Sequence, residues 1–232
     1  MTKMVFPDCA FCSIPPPDRA CMKPGGQTGK GCPTVTMKKI LNETREEYKK
    51  PETYELARQA SVQEGECFAG REQRPFVAHT VKPRIQEICE FATKMGYTRL
   101  GLVFCMGLCK EALTVGEILK RHGFELVSVC CKAGCVPKEE IGIKEDEKIR
   151  IGEYETMCNP VFQAKLLNDS KTQLNVLLGL CVGHDSLFFK YATGLSTVLA
   201  VKDRVTGHNP LAAIYISQTY YEWLNPKSGW LK

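Results

Sequence analysis

The stretch RLGLVFCMGLCKEALTVGEILKRHGFELVSVC, residues 99–130, decides the fold. RLGLVFC (99–105) and FELVSVC (124–130) are short apolar runs with strand character, and KEALTVGEILKRHG (110–123) between them has the three-to-four spacing of an amphipathic helix stopped by glycine. Two strands joined by a helix of that length predict a βαβ unit with parallel strands. Each strand ends in cysteine, and that recurrence bears on function as much as on fold.

The rhythm continues outward. CNPVFQAKLLN (158–168) predicts a helix, LNVLLGLC (174–181) a strand, HDSLFFKYA (184–192) a helix, STVLAVK (196–202) a strand and NPLAAIYISQTYYEWL (209–224) a last helix. Upstream, residues 42–66 predict a helix or helix pair broken near Pro51, and TVKPRIQEICEFATKM (80–95) predicts a helix with Pro83 in its first turn and Gly96 as its stop. The expected class is α/β: a small, doubly wound, mostly parallel sheet of about four strands, buried on both faces, preceded by an N-terminal cysteine-rich loop. The expected domains are residues 1–36, a metal or iron–sulfur module, and residues 37–232, an α/β domain with a helical lead-in.

Of the 232 residues, 44% are hydrophobic and 25% charged, the balance of a chain that folds around its own core. The net charge of +5 is dispersed, with no basic block interleaved with aromatics, so nucleic acid is not an expected partner. The first thirty residues are broken by prolines and charges, and no apolar run approaches membrane-spanning length, so a cytoplasmic protein without membrane contact is expected. Thirteen cysteines in such a chain call for metal ligation or thiol chemistry in place of disulfides.

The first of two constellations is Cys9-x2-Cys12-x8-Cys21-x10-Cys32-Pro33, four thiols in a loop with no core of its own. Four thiolates complete a tetrahedral zinc shell or take the four corners of a [4Fe–4S] cluster, and the terminal Cys-Pro is shared with ferredoxin-type ligand runs. The second is positional. Ligands in open α/β sheets bind at the carboxyl ends of the strands. There Cys105 follows one strand, Cys130 and Cys131 a second and Cys181 a third, while Cys158 sits at a helix start that favours a thiolate. GLCVGHDSLFF (179–189) and VKDRVTGHNP (201–210) reach the same edge, with His184 and His208 as additional ligands or proton donors. Gly183 and Gly207 permit close backbone approach, and Asp185 and Asn209 suit helix caps. Cys67 and Cys89 are expected to pack, while Cys109 and Cys135, in the loops after the first two strands, are left open as ligands. No dinucleotide fingerprint, P-loop or H-E-x-x-H motif occurs.

The N-terminal cysteines, VSVCCK (127–132), MCNPVFQAKLLN (157–168), GLCVGHDSLFFKY (179–191) and VKDRVTGHNP (201–210) together resemble an uncharacterised metal-binding family, a domain of unknown function of anaerobic bacteria and archaea. The resemblance implies metal binding through these cysteines and an anaerobic setting, and no particular reaction. The resulting expectation is an iron–sulfur redox protein in which an N-terminal cluster serves a second, cysteine-lined metal site at the sheet edge. The alternatives are a zinc-stabilised module binding a metal or small molecule, and a thiol enzyme with one strand-end cysteine activated by His184. A redox partner protein and an unidentified small-molecule substrate are the expected partners, and a homo-oligomer is compatible with the sequence.

Overall fold

A computed structural model describes residues 6–225. They divide between Glu64 and Gly65 into two compact units.

The first unit opens with single 3-10 turns at Cys9–Phe11 and Pro16–Asp18, followed by α1 (Pro33–Thr36), α2 (Lys38–Glu47) and α3 (Pro51–Glu66). The break between α2 and α3 falls at Pro51, whose fixed φ and missing N–H suit a helix's first position. Up to Glu64, Gln63 alone is buried among the described residues. The cysteine segment therefore has no apolar core to hold it.

The second unit opens with a two-stranded antiparallel pair, β1 (Phe68–Ala69) and β2 (His79–Thr80), which places Thr80 in a strand ahead of the expected helix. That helix, α4 (Arg84–Lys94), starts after Pro83, which is its N-cap instead of a member of its first turn. Then come β3 (Arg99–Phe104), α5 (Cys109–Arg121), β4 (Glu125–Cys130), α6 (Pro160–Asp169), β5 (Leu174–Leu178), α7 (His184–Tyr191), β6 (Leu195–Ala200) and the short α8 (Leu211–Tyr215). β3 to β6 form one parallel sheet in the order β4-β3-β5-β6.

Both faces are covered. Leu100, Leu102, Leu174 and Val176 pack with Ala92 of α4 and Leu119 of α5. Val103 and Leu177 point the other way, onto Ala164 and Leu167 of α6 and Phe188 of α7. Alternation along β3 and β5 thus feeds two cores, each fully buried branched side chain contributing about 1.5–3 kcal/mol. Because the chain moves from β3 to β4 on one side and then to β5 on the other, β3 and β5 flank the point where the strand order reverses, and the loops that follow them diverge.

The expected last helix over 209–224 is mostly not helical: α8 covers five residues, followed only by a 3-10 turn at Glu222–Leu224. Leu211, Ile214, Tyr215 and Tyr220 are exposed, so no buried apolar face sustains a longer helix. Asp185 and Asn209 are not caps either. Gly183 precedes α7 and Pro210 precedes α8, while the side-chain cap forms at α6, where Asn159 Oδ1 accepts from the Phe162 N–H at 3.0 Å.

Candidate functional site

In the first unit, Cys9, Cys12, Cys21 and Cys32 all line one cavity of about 380 Å³. The Cys9–Cys12 turn closes when the Cys12 N–H donates to the Cys9 carbonyl. Arg19 then ties that turn to the rest of the loop, donating from Nε to the Ile14 carbonyl at 2.7 Å and from Nη2 to the Cys12 carbonyl at 3.1 Å. Backbone bonds between Asp18, Ala20 and Gln27 hold the strand leading into Cys21, and Cys32 ends the loop at the start of α1.

In the second unit the strand-end cysteines separate into distinct settings. Cys131 is buried just past β4, and its backbone N–H donates to the Phe104 carbonyl, which extends the ladder one residue. Its sulfur lies 3.7 Å from the Cys158 sulfur, accepts from the Met106 N–H at 3.3 Å and shares a hydrogen bond with Cys105. Cys158 is bonded in turn to His184, at the first position of α7. Cys105, Cys131, Cys158 and His184 are thus successive electrostatic neighbours at the carboxyl edge of the sheet, with the Cys131 and Cys158 sulfurs in contact at 3.7 Å.

Electrostatics distinguishes its members. The hydrogen bond from Cys131 holds the Cys105 thiol down at about 5 against the opposing effect of burial, helped by the Gly107 N–H and the Lys202 ammonium. Cys158 is held down at about 4, first by Cys131 and then by His184, with Lys132 adding to the effect. Cys131 is pushed strongly upward by its interactions with Cys105 and Cys158 and by burial, which opposes its ionisation. His184 is raised by Cys158, whose thiolate favours the protonated imidazole against burial and Lys132. The neighbours thus favour ionisation of Cys105 and Cys158 over that of the buried Cys131.

The chain reaches this geometry through an insert. Residues 132–157 leave β4 and return, closed at the neck where Lys138 N–H donates to Glu155 O, Met157 N–H to Val136 O and Asn159 N–H to Cys131 O. The last of these bonds sets Cys158 beside Cys131. Lys132 caps the neck from its side chain, donating to the Thr156 carbonyl. On α6, Gln163 is fully buried beneath the ends of β3 and β4, donating to the carbonyls of Val129 at 2.9 Å and Phe104 at 3.4 Å. Gln163 was not singled out from the sequence. Its signal was a polar residue on the otherwise apolar face of an amphipathic helix.

The remaining expected site residues stand apart from that row. Cys130 ends β4 half-buried and Cys181 accepts from Arg204 Nη2 at 3.1 Å. His208 adopts φ +69°, and its Nδ1 accepts the Asp203 N–H at 3.1 Å, so that nitrogen closes a turn. Gly183 at φ +84° and Gly207 at φ +63° occupy the left-handed region that glycine tolerates. Asp185 lies in the first turn of α7, bonded to the Ser186 N–H, and Asn209 caps nothing with its side chain. Cys67 and Cys89 are buried in packing, while Cys109 and Cys135 are exposed. Among the described residues, no three His, Cys, Asp or Glu side chains are arranged to hold a single metal ion.

A model of a protein of unknown function, DUF1847, matches residues 32–199. The chain belongs to the DUF1847 family. An uncharacterized protein of Methanocaldococcus jannaschii is 41% identical over 195 residues, spanning 84% of this chain and 91% of that protein. No solved structure matches. The DUF1847 match begins at Cys32, so it takes in every member of the Cys105–Cys131–Cys158–His184 row and leaves Cys9, Cys12 and Cys21 before it. Among the described residues, no helix is long and apolar enough to cross a membrane.

Proposed function

We propose that the chain is an iron–sulfur redox protein whose N-terminal cysteines hold the cluster. The observation that carries this reading is that Cys9, Cys12, Cys21 and Cys32 surround one cavity in a unit with almost nothing buried. A segment without a core needs another source of order, and a group bound by four thiolates supplies it. A lone tetrahedral ion with bonds of about 2.3 Å needs its sulfurs drawn within about 4 Å of one another. The cavity of about 380 Å³ that the four thiols line has room for a polynuclear cluster in place of a lone zinc. The cluster would supply one-electron transfer at a potential tuned by hydrogen bonding and exposure. Around it, Arg19 fixes the Cys9–Cys12 turn and would keep two of the four thiols in register.

The test is metal and sulfide analysis with an absorption spectrum on protein purified without oxygen. Iron and acid-labile sulfide in cluster ratio, with broad visible absorption, are expected. Stoichiometric zinc without colour would replace the redox reading by that of a zinc-stabilised module, and protein with neither would end both.

A further inference from the structure

The strand-end thiols supply a separate inference that does not depend on the N-terminal cluster. A metal site needs donors converging on a point, and among the described residues no three do so, whereas in the row Cys105, Cys131, Cys158 and His184 the Cys131 and Cys158 sulfurs lie 3.7 Å apart. We propose that this row is a dithiol reaction centre in which Cys158 is the nucleophile, Cys131 the resolving thiol and a small, negatively charged disulfide the substrate.

Accessibility separates the two roles. Cys158 is partly exposed, while Cys131 is 3% exposed and can react only with a group already attached to its neighbour. Their sulfurs need only close from 3.7 Å to a bond of roughly 2 Å. His184, bonded to Cys158, holds a proton where a thiolate would leave. Such a site has the parts of a thiol–disulfide exchange pair: an ionised attacking thiol, a buried partner and a proton donor.

Charge around the row selects the substrate. Lys202 Nζ lies 3.4 Å, and Cys105 Sγ 3.9 Å, from the point a Cβ on Gly107 would occupy, so the absence of a side chain there leaves the ammonium and thiolate open together. Lys132 acts on both Cys158 and His184, and Arg204 sits on Cys181. The nearby carboxylates are Asp185, and Asp203, whose Oδ1 is occupied by the N–H groups of Val205 and Thr206. Two lysines beside the thiols, Lys132 and Lys202, favour a substrate carrying carboxylate or phosphate.

The reaction balances on the site's own groups. Cys158 thiolate attacks one sulfur of R–S–S–R, the S–S bond breaks, and the departing R–S⁻ takes the His184 proton. Cys131 gives its proton to the Cys105 thiolate and attacks the Cys158 sulfur, and the second R–S⁻ leaves and takes that proton from Cys105. One disulfide is reduced to two thiols, and the Cys131–Cys158 dithiol is oxidised to a disulfide. An external dithiol returns it.

The full chain, reduced and kept anaerobic, is mixed with oxidised glutathione as the anionic probe and with hydroxyethyl disulfide as the neutral one. Peptide mapping should find a Cys131–Cys158 disulfide. Cys131→Ser should accumulate a glutathione adduct on Cys158, and Cys158→Ser should slow consumption of the probe at least tenfold. Lys202→Met should cut the rate with oxidised glutathione several-fold and leave hydroxyethyl disulfide unaffected. An adduct on another cysteine, or a Cys158→Ser protein that reacts at the parent rate, overturns the proposal. So does equal loss of both probes in Lys202→Met, for the substrate class. Iron, sulfide and zinc are measured on the same samples. Loss of metal from Cys158→Ser would make these thiols ligands and refute the dithiol centre, whereas metal-free protein that still traps the probe on Cys158 would refute only the cluster.

Discussion

Cys158 illustrates how neighbours set the chemistry of a single side chain. Its ionisation is favoured first by the hydrogen bond from Cys131 and second by His184, against the cost of burial. The facing charged and titratable groups are Cys131 beyond β4, His184 on α7 and Lys132 at the insert's neck. Alkylation of Cys158 should therefore persist as pH falls and fade only near about 4. In His184→Gln the midpoint should rise, and in Cys131→Ala it should rise further, because the larger cause is removed. Iodoacetamide rates at Cys158, followed by mass spectrometry from pH 3 to pH 10, would check the order; an unchanged midpoint in both variants would refute this electrostatic account. The sequence predicts a thiolate at Cys158 from a helix start, but the helix begins at Pro160 and the causes are Cys131 and His184. The partnership with Cys131 was not legible, because 27 residues of chain separate the two and only the folded insert brings them together.

At the scale of elements, the strand-to-helix loops decide where each thiol points. Gly179 has φ +67°, and a Cβ there would run into Leu108 of the loop after β3. Gly179→Ala combines a left-handed conformation with overpacking and should cost about 2–4 kcal/mol, read from denaturant melts. The insert after β4 is held differently, by charge. Lys138 binds Glu155 at 2.7 Å and, as the largest cause, holds its carboxyl down at about 2, aided by the N–H groups of Arg150 and Ile149. A depressed carboxyl contributes stability above its unfolded value of about 4.3 and loses it as pH falls through the folded value. Lys138→Met should thus raise the pH at which protease begins to cut within residues 138–155. The βα rhythm was readable because β3 and β5 are runs of Leu and Val between amphipathic helices. The α8 region was misread because its aromatic and β-branched residues match helical spacing without a surface to bury them, and spacing alone does not report the surface.

For the whole molecule, the contrast between the units is one of what holds them. The α/β unit has two apolar layers on one sheet, and the cysteine unit has a cavity ringed by thiols. If the proposed N-terminal cluster holds the segment, Cys12→Ser should remove it and expose the cysteine segment to protease, while the α/β unit keeps its melting transition. Loss of both transitions would show that the units share one source of stability. The four N-terminal cysteines were legible as a set because they crowd a short loop. The strand-end thiols were legible as a neighbourhood, and the way they pair depends on side-chain directions that spacing does not encode.

The insert between Cys131 and Cys158 carries one more consequence, in the entropy of the unfolded chain. A bond between those sulfurs would close a ring over 27 positions, and a cross-link of that span restricts the denatured ensemble by roughly 3–4 kcal/mol at room temperature in the chain-entropy model. The oxidised protein should melt several degrees above the reduced one, and Cys131→Ser should lose that difference. Thermal stability would then report the oxidation state of the pair, without label or chromophore.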